Sequence, residues 1–324
     1  MRCLVTGGSG FIGSHLVDAL VEAGHQVANL DLKAPPYDAK HASWHAVDLL
    51  DLPAVEALVV NFAPDVIFNL AAVADIDLGA EAMRPNTEGL RHLIGAARKL
   101  SVIPRIVHTS TQLVVAPGHH PSGPRDYEPY TVYGESKAEA EEILWKEADD
   151  LVWVILRPTT IWGPRHPSFD RTILKYLERR WYLLPTGIDP IRSYGYVASV
   201  VSQFLAAATL PAKRIDHQVF YAGDAPIRSS TWLDGFSRAL SGHPVRRIPG
   251  AALRLLATLG SMSKRLGGPA PIDRGRLYRM TTDYPVPMEA TFAVLGSGPF
   301  SMEQGIAETS AWLRDRDANP NARG

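Results

Sequence analysis

The first half of the chain alternates short apolar segments, rich in β-branched residues, with longer segments of helical periodicity. The short segments predict strands, and the longer ones predict amphipathic helices. Because parallel strands need such helical crossovers, the alternation predicts a doubly wound parallel sheet with helices on both faces. The predicted strands are Arg2–Thr6, Gln26–Leu30, Ser43–Val47, Val66–Leu70, Arg105–Thr109 and Leu151–Leu156. The predicted helices between them are Phe11–Ala23, Pro53–Phe62, Ala80–Leu100 and Val132–Ala148.

After Arg157 the pattern is less regular, and prolines and glycines mark a loop. Helices are predicted at Phe169–Arg180 and Val197–Ala208, and a strand at Val219–Ala222 is expected to return to the main sheet. Near the end, Ser301 and Gln304 have the spacing of a capping box and predict a last helix that runs to about Arg314.

These elements predict an α/β fold with two parts. Residues 1–165 are expected to form a doubly wound domain of the Rossmann type, to which 190–223 return. Residues 166–189 and 224–316 are expected to form a smaller, mixed C-terminal lobe that binds the substrate. The polar residues 317–324 are expected to be a flexible tail.

Composition narrows the class of protein. The 324 residues include 33 Lys and Arg against 34 Asp and Glu, so no overall charge indicates a nucleic-acid partner. Cys3 is the single cysteine, which excludes an intramolecular disulfide and a multi-cysteine metal site, and its apolar neighbours predict burial. The sequence has no secretory signal and no apolar run of about 18 residues, so we expect a cytoplasmic protein without a membrane span.

A glycine-rich segment follows the first predicted strand and opens the first predicted helix. It reads Gly7-Gly8-Ser9-Gly10-Phe11-Ile12-Gly13. Gly7, Gly10 and Gly13 allow a tight turn and a close approach of the backbone to a pyrophosphate at the helix N-terminus. The second strand ends before Asp31, whose carboxylate is expected to hold ribose hydroxyls and to disfavour a 2′-phosphate. The segment therefore predicts NAD as the cofactor, with NADP disfavoured.

Tyr133 and Lys137 lie four residues apart on a predicted helix, so their side chains share one face. An ammonium group beside a phenol stabilises the phenolate, and such a pair can exchange a proton with a substrate hydroxyl. The fifth strand ends in hydroxyl residues, Ser110 and Thr111, at the edge of the sheet where ligands bind. We therefore interpret Tyr133 and Lys137 as catalytic.

These motifs resemble the extended short-chain dehydrogenase/reductase family, which includes nucleotide-sugar epimerases and hydroxysteroid-type dehydrogenases. The resemblance covers most of the chain. It rests on Thr6-Gly7-Gly8-Ser9-Gly10-Phe11-Ile12-Gly13, Asp48-Leu49, Asn69-Leu70-Ala71-Ala72, Asn86, His108-Thr109-Ser110-Thr111, Tyr133-Gly134-Glu135-Ser136-Lys137 and Leu156-Arg157-Pro158, in the family's order.

The resemblance implies a role for each matching residue. Thr111 would hydrogen-bond the reacting oxygen, Tyr133 would move the proton, and Lys137 would tune Tyr133 and hold the nicotinamide ribose. Asp48 and Leu49 would contact adenine. The other residues that it places around the cofactor are Gly7, Gly10, Phe11, Ile12, Gly13, Asp31, Ala71, Ala72, Asn86 and Ser110.

The positions after Thr111 bear on the type of reaction. Family members that dehydrate sugars carry Asp-Glu there, and decarboxylases carry a nearby Glu, whereas this chain has Gln112 and Leu113. We therefore expect hydride transfer at a carbinol carbon without dehydration.

The substrate side offers weaker signals. Arg192 matches the segment in which sugar-nucleotide enzymes hold a diphosphate, a task that suits the planar guanidinium, and Arg276 or Arg279 is a candidate second cation. The apolar segment 249–268 departs from sugar epimerases and is expected to be a substrate-pocket lid or a core helix, in preference to a membrane-surface helix. The pair His119-His120 lacks zinc spacing, so no metal site is expected.

Three functions remain open. The first is a nucleotide-sugar epimerase or ketoreductase, the second a dehydrogenase of an apolar, sterol-like or isoprenoid alcohol, and the third a non-catalytic NAD(P)-binding sensor. A homodimer through the helices 80–100 and 132–148 is expected.

Overall fold

Seven parallel strands form the central sheet, as the sequence predicts. The computed structural model describes residues 1–35, 42–75, 78–167, 169–268 and 272–318. The strands are β1 (Arg2–Thr6), β2 (Gln26–Leu30), β3 (Ala42–His45), β4 (Val66–Asn69), β5 (Arg105–Thr109), β6 (Trp153–Pro158), β7 (Thr160–Trp162), β8 (Leu183–Pro185), β9 (Ile191–Arg192), β10 (Tyr194–Tyr196), β11 (Gln218–Ala222), β12 (Ile227–Arg228) and β13 (Arg246–Ile248).

Helices cover both faces of this sheet. They are α1 (Phe11–Glu22), α2 (Leu52–Phe62), α3 (Arg84–Ala97), α4 (Val132–Glu147), α5 (Lys175–Glu178), α6 (Val197–Thr209), α7 (Ala212–Ile215), α8 (Ser229–Ser241), α9 (Gly250–Arg265), α10 (Arg274–Thr281), α11 (Glu289–Val294) and α12 (Met302–Ala318).

The strand order places a ligand site between β1 and β4. The central sheet has the order β11-β6-β5-β4-β1-β2-β3, and β7, β8, β9, β10, β12 and β13 pair in three small two-stranded sheets. The order reverses direction between β1 and β4, and in doubly wound sheets ligands bind at the carboxyl ends of the strands at such a point. The return of the predicted strand Val219–Ala222 to the sheet, as β11, is confirmed.

Alternation along the strands divides the core between the two faces of the sheet. In β1, Cys3 and Val5 pack in one cluster, whereas Leu4 packs in the other. Cys3 is fully buried, as predicted, and burial raises the pKa of its thiol to about 11. The thiol is therefore a small core group without nucleophilic character at neutral pH.

Two predicted helices differ from the structure. The segment predicted as one helix over Ala80–Leu100 is a 3-10 turn, Ala80–Met83, followed by α3. Pro85 explains the division. A proline has no backbone N–H to donate inside a helix, but it is tolerated in the first turn, where that N–H would have no partner in the helix. The predicted helix Phe169–Arg180 is a π-helical turn, Asp170–Leu174, that continues into α5.

The capping box at the last helix is confirmed. The backbone N–H of Gln304 donates to Ser301 Oγ at 3.2 Å, and that of Ser301 donates to Gln304 Oε1 at 2.8 Å. The helix α12 continues to Ala318, beyond the predicted end near Arg314, so the tail predicted from 317 begins inside it. The rest of that predicted tail, 319–324, lies outside the described residues.

The segment 249–268 forms α9 but is not a core helix. Only Leu253 and Ala257 of this helix are buried. Both faces of α9 carry apolar residues, so the sequence could not show which face the protein covers. Within the described ranges, no helix is long and apolar enough to cross a membrane.

Candidate active site

The glycine-rich segment forms a turn that only glycine can make. Gly7 has a φ of +70°, and a Cβ there would lie 2.6 Å from the backbone nitrogen of Ala71. A Cβ on Gly13 would lie 2.1 Å from the carbonyl oxygen of Gly7. The missing side chains therefore bring the turn after β1 against the end of β4 and the start of α1.

The N-terminus of α1 provides an anion-binding cradle. Gly10 is the N-cap residue of α1, and no side chain in the described structure caps that helix. The N–H groups of the first helical turn, together with the positive end of the helix dipole, suit a phosphate group. Phe11 and Ile12 follow Gly10 and are partly exposed, and the Phe11 ring packs edge-on against His166.

Asp31 lies directly beside this cradle. Its carboxylate accepts hydrogen bonds from the backbone N–H of Ser9, at 3.0 Å, and of Lys33, at 2.9 Å. It therefore places a negative charge next to the glycine turn, at the end of β2. A ribose with free hydroxyls fits such a group, whereas a 2′-phosphate would be repelled.

The other residues predicted around the cofactor occupy the same end of the sheet. Asp48 accepts from the N–H of Leu50 at 2.9 Å, and Leu49 is buried against Gly89 of α3. Ala71 and Ala72 follow β4, and Ala71 donates its N–H to Thr6. These residues form one edge of the cleft above β1 and β4.

Asn86 joins three parts of this cleft. Its amide oxygen accepts from the N–H of Val73 at 2.8 Å, and its amide nitrogen donates to Val73 O at 3.0 Å and to Ser136 Oγ at 2.9 Å. A side chain of α3 therefore fixes both the segment after β4 and the first turns of α4. Asn86 is one of the residues that the resemblance places around the cofactor.

A buried line of polar side chains crosses the sheet below the cleft, and sequence reasoning missed it. Thr6 donates to Asn69 Oδ1 at 2.7 Å, and the Asn69 amide nitrogen lies 3.1 Å from His108 Nδ1. Burial, reinforced by the charge of Lys137, holds the pKa of His108 well below its ordinary value, so the ring is neutral. The register of β1, β4 and β5 brings these three side chains together.

Tyr133 and Lys137 meet the end of β5 at the cleft. Thr131 caps α4 by accepting from the N–H of Gly134 at 2.9 Å, which places Tyr133 in the first turn of that helix. Tyr133 is partly exposed, and Lys137 is only 1% exposed. The pKa of Tyr133 is raised to about 12 by burial, and its hydrogen-bonding interaction with Thr111 opposes that rise.

Lys137 is a buried cation at neutral pH. Burial lowers its pKa to about 8, and the carboxylate of Glu141 opposes that change. Lys137 therefore keeps its proton at pH 7 and loses it as the pH rises through about 8. A protonated lysine on the same helix face as Tyr133 can stabilise a phenolate, the form in which tyrosine accepts a proton.

A fully buried ion pair supports this helix from below. Arg157 donates to both carboxylate oxygens of Glu141, at 2.9 and 2.6 Å, and Ser110 Oγ donates to the same carboxylate at 2.5 Å. The Ser110 hydroxyl is therefore directed away from the cleft, and the structure does not bring it to the cofactor side. Glu141 lies one helical turn after Lys137 on α4, which is the signal that could have found it.

The substrate side of the cleft is bounded by aromatic and basic residues. The Tyr284 hydroxyl donates to the carbonyl oxygens of Gln112, at 2.9 Å, and Val115, at 2.5 Å, just after Thr111. Arg192 stacks on the Tyr284 ring at 5.8 Å, and its Nη1 donates to the carbonyl of Arg279 at 2.5 Å. This contact fixes the position of Arg192 at the wall of the cleft.

Two further polar groups lie at this wall. Burial raises the pKa of Tyr130, and the nearby guanidinium groups of Arg192 and Arg279 act against that rise. The Gln112 amide nitrogen donates to Thr160 at 3.3 Å, whereas its Oε1 is buried without a hydrogen-bond partner among the described residues. A buried acceptor without a partner is costly unless a ligand satisfies it.

The histidine pair is accounted for by its loop. His119 lies between the carboxylates of Asp126, at 2.9 Å, and Glu128, at 2.8 Å. In the part of the chain that the structure describes, no cluster of His, Cys, Asp and Glu could hold a metal ion.

The doubly wound sheet carries a glycine turn suited to a phosphate, and α4 carries a tyrosine and, one turn later, a buried lysine. Together these features are typical of an enzyme that works with a nicotinamide nucleotide. Residues 3–223 match the NAD dependent epimerase/dehydratase family, and the chain belongs to it. It is an enzyme of the epimerase and oxidoreductase type, and its cofactor is NAD.

Individual relatives act on different substrates. A 3 beta-hydroxysteroid dehydrogenase/Delta 5-->4-isomerase of Mycobacterium tuberculosis is 29% identical over 294 residues, which cover 84% of this chain and 78% of that protein. A ketoreductase of a farnesylated dihydroquinoline oxide from Stigmatella aurantiaca is 29% identical, over 94% of this chain and 95% of its own. The solved UDP-glucose 4-epimerase of Thermotoga maritima shares the fold, with a TM-score of 0.75 and 22% identity over 97% of this chain and 99% of that one.

Proposed function

We propose that the protein transfers a hydride between NAD and the carbinol or ketone carbon of a sugar that carries a phosphate group, as an epimerase or ketoreductase. The observation that carries the proposal is the hydrogen-bonding interaction of Tyr133 with Thr111 after β5, with Lys137 buried one helical turn further along α4. Gln112 and Leu113 follow at the positions where a dehydratase would need acidic groups. The family's description names dehydratases as well as epimerases. That this protein does not dehydrate its substrate is therefore part of the proposal.

Each catalytic side chain has one task. Thr111 and Tyr133 hold the reacting oxygen of the substrate, and Tyr133 takes or returns its proton. Lys137 supplies the positive charge that stabilises the phenolate form of Tyr133. Asn86 and Glu141 position α4, the helix that carries Tyr133 and Lys137. The bound nicotinamide accepts or donates the hydride.

The glycine turn and its neighbours hold the cofactor in this proposal. The first turn of α1 binds the pyrophosphate, and Asp31 binds the adenosine ribose, so NAD is preferred to NADP. Asp48 and Leu49 lie beside the adenine, and Ala71 and Ala72 line the path between the adenosine and nicotinamide halves of NAD.

A phosphate on the substrate is favoured by the basic wall of the cleft. Arg192 is held in place by its contacts to Tyr284 and Arg279, so its guanidinium is preorganised for a planar, bidentate contact. The free acceptor of Gln112 suits a donor hydroxyl of a sugar.

An apolar alcohol is the second candidate substrate. Two relatives that span most of this chain act, according to their names, on a steroid and on a farnesylated ring. Tyr130 and Tyr284 would cover such a ring. The non-catalytic sensor is the least favoured function, because Tyr133 and Lys137 are both present.

The organisation of the whole molecule follows from the same proposal. We assign residues 1–165 and 190–223 to the NAD-binding domain, and 166–189 and 224–316 to the substrate lobe. A homodimer through residues 80–100 and 132–148, and a cytoplasmic location, stay predictions.

Replacing Arg192 with methionine distinguishes the two substrate classes. If Arg192 holds a phosphate, the Kd of UDP or GDP, measured by calorimetry with the NAD-loaded protein, rises about tenfold or more, because a charge-assisted contact is lost. The matched control is Arg238→Met on α8, which should leave the Kd unchanged. If neither nucleotide binds the wild type while sterol-like alcohols support NADH formation, the apolar candidate replaces the sugar.

A further inference from the structure

Helix α9 presents an apolar stripe to solvent. Leu255 is 61% exposed, Leu259 53%, Met262 56%, and the C-cap residue Leu266 87%. We refer to these four residues as the α9 stripe. At 3.6 residues per turn they share one side of the helix, whereas the buried residues Leu253 and Ala257 lie on the opposite side. The stripe therefore faces away from the body of the protein.

Basic residues lie along one edge of this stripe. Residues 250–281 contain six Arg and Lys and one acidic residue, in a chain whose net charge is −1. Arg254 and Arg265 are exposed and lie on the side of α9 next to Met262. A cavity of about 490 Å³ between α9 and α10, lined by Lys264 and Arg279, lies on the other side of the helix. An apolar helix face beside a concentration of positive charge is typical of helices that lie in the interface of a membrane.

We propose that the α9 stripe and its basic surroundings bind the surface of a bilayer that contains anionic lipids. The four apolar side chains enter the boundary between headgroups and acyl chains, and Arg254 and Arg265 contact the lipid phosphates. The helix lies along the surface and does not span it.

Two other occupants fit the structure less well. A second copy of the chain, paired symmetrically through the stripe, would place the same basic residues of both copies beside each other. A substrate under α9 would have to reach the side of the helix that points away from the cleft, because Leu253 and Ala257 face the protein body.

The surface is connected to the cleft. Arg192 donates a hydrogen bond to the carbonyl oxygen of Arg279 on α10, and α10 packs against α9. Binding at the bilayer would therefore place the substrate lobe at the membrane surface, where amphiphilic substrates reside. The inference does not depend on the proposed reaction, because membrane binding is measured without cofactor or substrate.

The test is co-sedimentation of the full chain with vesicles. We expect the protein to bind vesicles of phosphatidylcholine with about one third phosphatidylglycerol, and to bind pure phosphatidylcholine far more weakly. The double substitution Leu255→Glu with Leu259→Glu should lower the bound fraction about tenfold or more. Binding of the wild type should also weaken in about 0.5 M NaCl, because salt screens the lipid charge.

The control is Val102→Glu, which adds one glutamate at a side chain that is 77% exposed in the loop after α3, away from the stripe. It should bind vesicles as the wild type does. The proposal is overturned if the wild type stays in the supernatant with anionic vesicles, or if the double variant binds as well as Val102→Glu. It is also overturned if sedimentation velocity shows a wild-type dimer that the double variant converts to a monomer.

Discussion

Replacing Tyr133 with phenylalanine is expected to lower kcat by about a thousandfold, within the range of general acid–base catalysis. The variant loses only the phenolic oxygen, which interacts with Thr111 and which, in the proposed function, takes the proton of the substrate hydroxyl. The helix α4 and the ring packing are retained, so the fold should be unchanged. The affinity for NADH, measured by fluorescence titration, should stay within about twofold of the wild-type value, since the glycine turn is untouched.

The matched control is Tyr278→Phe, which removes the hydroxyl of a tyrosine that is 58% exposed on α10. This variant should keep its kcat within a few fold. A Tyr133→Phe enzyme with nearly normal kcat would show that another group moves the proton, and the catalytic assignment would be wrong. If Tyr133→Phe instead loses NADH affinity in proportion to its activity, the tyrosine serves cofactor binding.

Substituting Glu141 with glutamine is expected to lower the free energy of unfolding by about 3–5 kcal/mol. The Glu141 side chain is 0% exposed and that of Arg157 is 3% exposed, so the neutral amide would leave a guanidinium without its counter-charge in the core. Ser110 would also lose its carboxylate acceptor. Urea unfolding followed by circular dichroism measures the change.

A double variant separates the loss of an ion pair from the loss of packing. Glu141→Leu with Arg157→Met removes both charges and should recover much of the stability lost in Glu141→Gln. Ser110→Ala, which removes one donor and leaves the ion pair, should cost only about 1 kcal/mol. A Glu141→Gln protein within about 1 kcal/mol of the wild type would contradict the structural role of this pair.

The sequence predicts the sheet and the glycine turn because both depend on short-range patterns. The alternation of apolar strands with amphipathic helices is local, and so is the spacing from Gly7 to Gly13. Tyr133 and Lys137 are equally visible, because four residues along one helix fix their relative positions.

The features that the sequence did not predict depend on contacts between distant segments. The line from Thr6 through Asn69 to His108 exists because three strands align in register, which no single segment encodes. The pair of Glu141 and Arg157 joins α4 to β6 in the same way.

The buried face of α9 could not be predicted for a different reason. Both the buried side, with Leu253, and the exposed side, with Leu255 and Leu259, carry apolar residues, so hydrophobicity alone could not separate them. Only the placement of the helix on the protein body shows which side remains outside. The expectation of a core helix was wrong for this reason.

In the proposed function, the turn from Gly7 to Gly13, with Asp31 beside it, binds NAD for hydride transfer. The most direct test begins by denaturing one sample of the purified protein and quantifying any nicotinamide nucleotide that it releases. Folded protein without bound nucleotide is then titrated with NADH and with NADPH. We expect NAD in the released fraction or reversible NADH binding, with NADPH about tenfold weaker because Asp31 repels its 2′-phosphate. If the folded protein binds neither nucleotide, the glycine turn does not hold NAD and the proposed hydride transfer is wrong.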